Sequence, residues 1–170
     1  DDSPFKRYVT GKMPPDEAAR YEHSLVAGYD YGIELTDQNV AQILELLRSE
    51  GRLDRVRVVI TSDHGELLGE HDIVGHGDTL YEPGLRIPLF FWDSLGTNPT
   101  PLPASLHGLA IHDLVLDGRV GEQGPRYATS YEHMVGDGAW NGLALWPDDE
   151  TKLVWRDGAT YRIDLRADPA

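Results

Sequence analysis

A long helical pattern that leads directly into a β-branched segment restricts this chain to folds that combine helices with sheet. Mostly apolar residues recur at steps of three and four, the spacing of one helix face: Leu25, Tyr29, Ile33, Thr36, Val40, Ile43 and Leu47. Pro15, Asp16 and Glu17 suit the start of this helix, and Gly51 suits its end. Residues 55–61 then predict a buried strand. A long helix, a tight turn and a buried strand form half of an α/β unit, so the sequence predicts an α/β fold.

The segments around this unit predict shorter elements. Residues 1–13 are polar and contain proline and glycine, so they predict an irregular lead-in. Residues 66–84 hold four glycines and predict a long loop with at most one helical turn. Residues 87–92 predict a second short strand, and residues 106–116 predict a short helix.

The sequence changes character after Gly118. Four strand candidates follow, separated by turn-forming residues: 127–131, 142–146, 151–156 and 160–165. We therefore expect two domains, an α/β part over residues 1–120 and a small antiparallel β subdomain over residues 121–170.

The sequence TSDHGE, residues 61–66, carries the clearest chemical signal. It directly follows the predicted strand, and ligands bind at the carboxyl ends of strands in open α/β sheets. Asp63 and His64 offer one hard oxygen and one imidazole nitrogen, a set that suits Mn, Fe, Zn or, less naturally, Ca. Gly65 allows the sharp turn that brings neighbouring side chains together. The alternative is that Asp63 caps a turn and His64 is an ordinary surface histidine.

A glycine-rich loop follows, with two more histidines, His71 and His76. Histidine can bind a metal or an anionic oxygen, and glycines allow a ligand to approach closely. The alternative is a solvated loop in which both histidines are incidental.

The composition excludes several partners. The net charge is −14, from 29 acidic and 15 basic residues, and there is no cysteine. An acidic protein repels the phosphates of nucleic acids and anionic membranes, and no apolar run approaches the ~20 residues of a membrane span. We expect no nucleic acid and no membrane as partners. A small anionic substrate would need locally placed cations, histidines or a metal. Without cysteine, the chain has no thiolate metal site and no Cys nucleophile.

Several of these segments together resemble the late part of the sulfatase family, in the alkaline phosphatase superfamily. The resemblance rests on residues 61–71, on GHG at 75–77, on LYE at 80–82 and on LRIPL at 85–89, with YRIDLRADP at 161–169 similar to the family's closing signature. It implies part of an alkaline-phosphatase-like α/β sandwich, built from a long helix and sheet strands and followed by a small C-terminal antiparallel sheet. Residues 1–120 would be the C-terminal part of the catalytic domain.

The resemblance also implies residue roles. Asp63 and His64 would be two ligands of a single divalent cation, Ca2+ or Mn2+. His76 would stand near the anionic group of the substrate, and His71 is a second candidate for that pocket. Pro83 departs from the family, because relatives usually carry a second acidic residue there.

The larger departure is the family's nucleophile, a Cys or Ser in a Cys/Ser-x-Pro-x-Arg motif, which this sequence does not contain. We therefore expect the C-terminal portion of a sulfate-ester hydrolase, with the N-terminal half of the same enzyme as its missing partner and a small anionic ester as substrate. This chain alone would be inactive. The alternatives are a phosphodiester or phosphonate hydrolase of the same superfamily and a non-catalytic fragment or paralogue.

Overall fold

The computed structural model describes residues 3–77, 79–95, 102–103, 106–121, 124–131, 141–156 and 158–167. The helices are α1 (Pro4–Val9), α2 (Pro15–Ser49), α3 (Glu82–Leu85) and α4 (Ala110–Asp117). The strands are β1 (Arg57–Thr61), β2 (Leu67–Leu68), β3 (Val74–Gly75), β4 (Leu89–Asp93), β5 (Arg126–Tyr131), β6 (Asn141–Trp146), β7 (Thr151–Arg156) and β8 (Ala159–Asp164).

Contacts divide the chain into two compact units. The first unit combines residues 1–55 with 66–75, and the second combines residues 56–65 with 76–170. The domain boundary at residue 120 that the sequence suggests stays a prediction.

The first unit begins with a helix that the sequence analysis missed. The expectation of an irregular lead-in over residues 1–13 is wrong for α1, which the Ser-Pro pair starts. The Ser3 hydroxyl accepts a hydrogen bond from the Lys6 backbone N–H at 3.3 Å, and Pro4 occupies the first turn. A capping hydroxyl followed by proline is a typical helix start.

The long helix α2 confirms the predicted helix at both ends. Asp16 and Glu17 lie in its first turn, and Gly51 follows its end with a φ of 63°. Its apolar face stays largely uncovered by the described residues, because Ile33 and Ile43 are more than half exposed.

The segment of the first unit after residue 65 is more ordered than the predicted loop. Strands β2 and β3 pair antiparallel, and Leu67 is fully buried. Near them, the Tyr8 hydroxyl donates a hydrogen bond to Glu22 at 2.6 Å. A Cβ at Gly69 would lie 3.0 Å from the Glu22 side chain, so this loop is closely packed.

The second unit contains the predicted pair of strands. Strands β1 and β4 pair antiparallel, from Arg57 opposite Asp93 to Thr61 opposite Leu89. Within the described ranges this sheet has only two strands, and the β4 side chains Phe90 and Trp92 are 64% and 45% exposed.

An ion pair fixes the far end of this sheet. The Arg57 Nε lies 3.1 Å from the Asp93 carboxylate, whose side chain is fully buried. Arg57 also donates to the backbone carbonyls of Val115 and Leu116 in the last turn of α4. A cation at a helix C-terminus satisfies its unpaired carbonyls and stabilises the helix dipole.

The carboxyl-terminal sheet confirms the four predicted strands. They form one antiparallel sheet in the order β5-β6-β7-β8. Ala144 of β6 and Leu114 of α4 are fully buried in this unit. Among the helices in the described ranges, none combines the length and apolar character needed to cross a bilayer.

Candidate active site

The turn after β1 presents Asp63 and His64 to solvent. The Ser62 hydroxyl donates to the His64 carbonyl at 2.7 Å, and the His64 backbone N–H donates to Asp63 Oδ1 at 3.1 Å. The Asp63 side chain is 87% exposed and that of His64 is 42% exposed. The turn therefore orders both side chains while leaving them accessible to a ligand.

Gly65 holds this turn against α3. Its backbone N–H donates to the Gly84 carbonyl at 2.9 Å. A Cβ at Gly65 would lie 1.9 Å from the Pro83 carbonyl oxygen, far inside van der Waals contact. The backbone of α3 thus fills the space of a side chain, which only glycine permits.

The hydrogen bonds of His64 define its tautomer. Its Nδ1 lies 2.8 Å from the Gly65 carbonyl oxygen. Because a carbonyl oxygen only accepts, Nδ1 must carry the proton, so in the neutral ring Nε2 holds a free lone pair. That Nε2 lies 3.6 Å from Asp63 Oδ1. Two donors each about 2.1 Å from one ion stand roughly 3.0–3.5 Å apart, so the pair needs little adjustment to bind one cation.

The carboxyl of Asp63 is prepared for a cation. The hydrogen bond from its own backbone N–H, followed by the nearby charge of His64, lowers the pKa of Asp63 below its ordinary value. When His64 is neutral, the ionised carboxylate and the Nε2 lone pair form a donor set that divalent cations accept. The residues present therefore fit the metal that the sequence predicts.

The structure brings His76 to this turn. Its ring stacks on that of His64, with centroids 3.7 Å apart and planes 22° apart. Gly77 follows with a φ of 102°, a conformation that glycine adopts readily. The sequence placed His76 near the metal turn, but only the structure shows the stacked rings.

His71 belongs to the first unit. It lies on the 3-10 turn Glu70–Asp72 with a φ of 57°, and its side chain is exposed. The roles expected for His71 and His76 stay predictions.

Sequence reasoning missed one residue of the second unit. Lys152 of β7 is only 1% exposed and pairs with Glu82 at 2.8 Å. The one sequence signal for it is a charged residue next to the apolar run Leu153–Trp155, and a lysine in a strand usually faces solvent.

The second unit contains a cavity of about 740 Å³, and Thr61, the last residue of β1, is one of the residues that line it. Cations and aromatic rings contribute to its wall: Arg86, Arg126, Tyr127 and Trp146. It combines apolar surface with groups that suit an anionic ligand.

Comparison with known proteins identifies the family. The sulfatase family model matches residues 2–114, more than half of the chain. This chain therefore belongs to the sulfatase family, and the resemblance noted from the sequence is confirmed.

Curated relatives include two kinds of enzyme. The chain is 35% identical over 121 residues to phosphatidylethanolamine transferase Mcr-1 of Escherichia coli, which covers 65% of this chain and 22% of that protein. It is 30% identical over 76 residues to the uncharacterized sulfatase YidJ of Escherichia coli strain K12, covering 45% of this chain and 14% of that protein. The chain thus spans less than a quarter of the length of these relatives.

A solved structure confirms the fold. BT4656, in complex with its substrate D-glucosamine-2-N,6-O-disulfate, matches with a TM-score of 0.59 at 19% identity, over 94% of this chain and 42% of that one. The expected α/β class, with a long helix and a small C-terminal antiparallel sheet, is confirmed.

Proposed function

We propose that this chain is the C-terminal portion of a metal-dependent hydrolase of sulfate esters. The observation that carries the proposal is the stacking of His76 on His64, beside the carboxylate of Asp63. Three groups that can bind a cation or an anion thereby lie at the end of one strand.

Asp63 and His64 hold one divalent cation in this proposal. Ca2+ and Mn2+ are the candidates, and the imidazole nitrogen favours Mn2+ over Ca2+, which prefers oxygen ligands. When bound, such a cation supplies positive charge to the ester oxygens and to the nucleophile.

His76 binds the anionic group of the substrate. An imidazole carries at least one N–H in either protonation state, so His76 can donate a hydrogen bond to an ester oxygen beside the metal. A hydrogen bond to an oxygen that gains negative charge becomes stronger in the transition state. The Thr61 cavity, with Arg86 on its wall, is the candidate site for the rest of a small anionic ester.

The remaining catalytic groups come from further polypeptide. The sequence lacks the family's Cys/Ser-x-Pro-x-Arg motif, and the chain spans less than a quarter of its curated relatives. Phe90 and Trp92 expose apolar side chains on a sheet that has two strands within the described ranges. Such a surface is expected where more of the same domain packs. The N-terminal half of the enzyme is therefore the proposed partner.

A second candidate is chemistry on a phosphodiester or phosphonate, by hydrolysis or by transfer. The 35% identity to a phosphatidylethanolamine transferase favours it. The metal and His76 would have the same roles, since both esters present anionic oxygens.

The test compares substrates in the full protein that contains this chain. With Mn2+ or Ca2+ supplied, we expect turnover of 4-nitrophenyl sulfate, and Asp63→Asn should lower it by about 10²-fold or more because the metal loses an anionic ligand. The matched control is Asp54→Asn, which changes a carboxylate that is 80% exposed and should leave turnover unchanged. Turnover of bis(4-nitrophenyl) phosphate alone would establish the second candidate, and turnover of neither substrate would overturn both.

A further inference from the structure

Lys152 is a buried cation whose two hydrogen-bond partners, Leu80 and Glu82, lie in one distant segment. Its ammonium donates to Glu82 Oε1 at 2.8 Å and to the backbone carbonyl of Leu80. The same ammonium lies 5.1 Å from the ring centroid of Trp146, within cation–π range. A buried charge is costly unless it is paired, so the two hydrogen bonds hold residues 80–82 in place.

The segment held by Lys152 is also the one that holds the proposed metal turn. Glu82 is the first residue of α3, and the next two residues, Pro83 and Gly84, form the backbone surface against Gly65. The Gly65 N–H bonds to the Gly84 carbonyl, and there is no room for a Cβ between Gly65 and Pro83. A shift of α3 must therefore move the turn or break its hydrogen bond.

We propose that Lys152 is a positioning residue for the metal turn, acting through α3. It fixes Leu80 and Glu82, which sets where Pro83 and Gly84 meet Gly65 and so sets the separation of Asp63 and His64. The proposal rests on the proposed function only for the identity of the two metal ligands.

Stability alone does not account for this ion pair. An apolar pair of similar volume is often as stable as a buried ion pair, or more stable. What a lysine adds is direction, because its N–H groups bind two acceptors on the same segment. Replacing a residue that orients a metal ligand without touching the metal typically weakens metal affinity.

The first test measures amide hydrogen exchange in the full protein without metal. Lys152→Met keeps an unbranched apolar chain but removes both hydrogen bonds. We expect the exchange rate of the Gly65 amide to rise on the order of tenfold relative to β1 amides such as that of Ile60, because α3 is released.

The matched control is Arg57→Met, which breaks a second ion pair of this unit, one whose acidic partner is fully buried. Arg57 pairs with Asp93 at the opposite end of β1 from the turn. Arg57→Met should lower the melting temperature as Lys152→Met does. The exchange rate of the Gly65 amide relative to that of Ile60 should stay as in the parent.

The second test measures Mn2+ affinity at matched fraction folded. Lys152→Met should weaken binding by about ten- to a hundredfold, whereas Arg57→Met should not change it. If Lys152→Met does not fold, the double variant Lys152→Met/Glu82→Leu removes both charges and should show the same two losses.

The outcomes separate this proposal from the proposed function. Lys152 variants that lower the melting temperature but leave Gly65 exchange unchanged relative to Ile60 would overturn the positioning role. Faster Gly65 exchange without any Mn2+ binding to the parent protein would support the mechanical link and count against the metal assignment instead.

Discussion

The two stacked imidazoles at residues 64 and 76 divide the proposed chemistry between them. Hydrogen bonding of Nδ1 to the Gly65 carbonyl commits His64 to presenting Nε2, which suits a metal ligand. His76 shares the same small volume, with ring centroids 3.7 Å apart. A group this close to the proposed cation would reach the anionic oxygens that the cation attracts, so His76 is the proposed substrate contact.

The assignment of His76 predicts a clear contrast with His71. In the full protein at matched metal occupancy, His76→Ala should lower turnover by about 10²-fold, because one hydrogen bond to developing charge is lost. The turnover of His71→Ala should stay close to that of the parent protein. His112→Ala is the control, since its side chain is 74% exposed on α4. Near-native turnover of His76→Ala together with a large loss in His71→Ala would reverse the two roles.

The sequence predicts local features of this site better than distant ones. Asp63, His64 and Gly65 are contiguous, so a strand ending in a tight turn is enough to bring them together. Lys152 and Glu82 are far apart in the chain, and their pairing depends on how β7 packs against the start of α3. An isolated lysine in a strand favours a solvent-facing position, so nothing local indicates that Lys152 is buried.

At the scale of elements, α1 is joined to α2 by polar contacts. The Arg7 guanidinium binds the Glu17 carboxylate through two hydrogen bonds of 2.7 Å. The Tyr8 hydroxyl donates to Glu22 at 2.6 Å. Burial first, and then the hydrogen bond and negative charge of Glu22, raise the pKa of Tyr8 to about 12 from an ordinary value of 10.0.

This raised pKa predicts how stability depends on pH. The protonated phenol is favoured in the folded state, so its contribution is fully present below pH 10 and is lost as pH rises toward 12. Tyr8→Phe should lower the free energy of unfolding by about 1 kcal/mol at neutral pH, through the lost hydrogen bond. Urea titrations at several pH values measure both effects.

The raised pKa is tested by the difference in free energy of unfolding between the parent and Tyr8→Phe. This difference should become smaller above pH 10, because the Tyr8 phenol of the parent then ionises in the unfolded state. Tyr31→Phe is the control, since Tyr31 is 61% exposed in α2, and it should show no such difference. A difference that stays constant from pH 7 to pH 11 would contradict a raised pKa at Tyr8.

Helices and strands are predictable where the apolar periodicity is long or where turn-forming residues separate the segments clearly. Helix α2 has a sustained period and clear ends, and the four C-terminal strands are separated by turn-forming residues, so both were predicted closely. Helix α1 was missed because six residues are too few to show a period. The β2–β3 pair was missed because two-residue strands have no detectable alternation and arise from packing of the loop.

At the scale of the molecule, both units expose apolar side chains that a domain of this family would be expected to cover. Ile33 and Ile43 are exposed on α2, and Phe90 and Trp92 are exposed on β4. Sequence periodicity predicts that Ile33 and Ile43 share an apolar face, and Phe90 and Trp92 lie in a predicted apolar strand. Neither pattern indicates what covers these side chains, because a covering surface lies outside the local sequence.

The proposed catalysis needs more groups than this sequence supplies. Asp63 and His64 are the two proposed ligands, which leaves most of the coordination sphere of a divalent cation to other groups. The sequence also lacks the family's nucleophile motif. We therefore expect the 170-residue chain alone to give no turnover of 4-nitrophenyl sulfate or 4-nitrophenyl phosphate above a blank, measured with added Mn2+ or Ca2+.

Asp63→Ala serves as the control for contaminating activity in that measurement. Residual turnover that survives this substitution comes from another protein, because no metal-dependent step of this chain should persist without the Asp63 carboxylate. Turnover that Asp63→Ala abolishes would mean that the chain supplies its own nucleophile. The proposed N-terminal half would then be dispensable for the chemistry, and the exposed faces of α2 and β4 would need a different explanation, such as self-association.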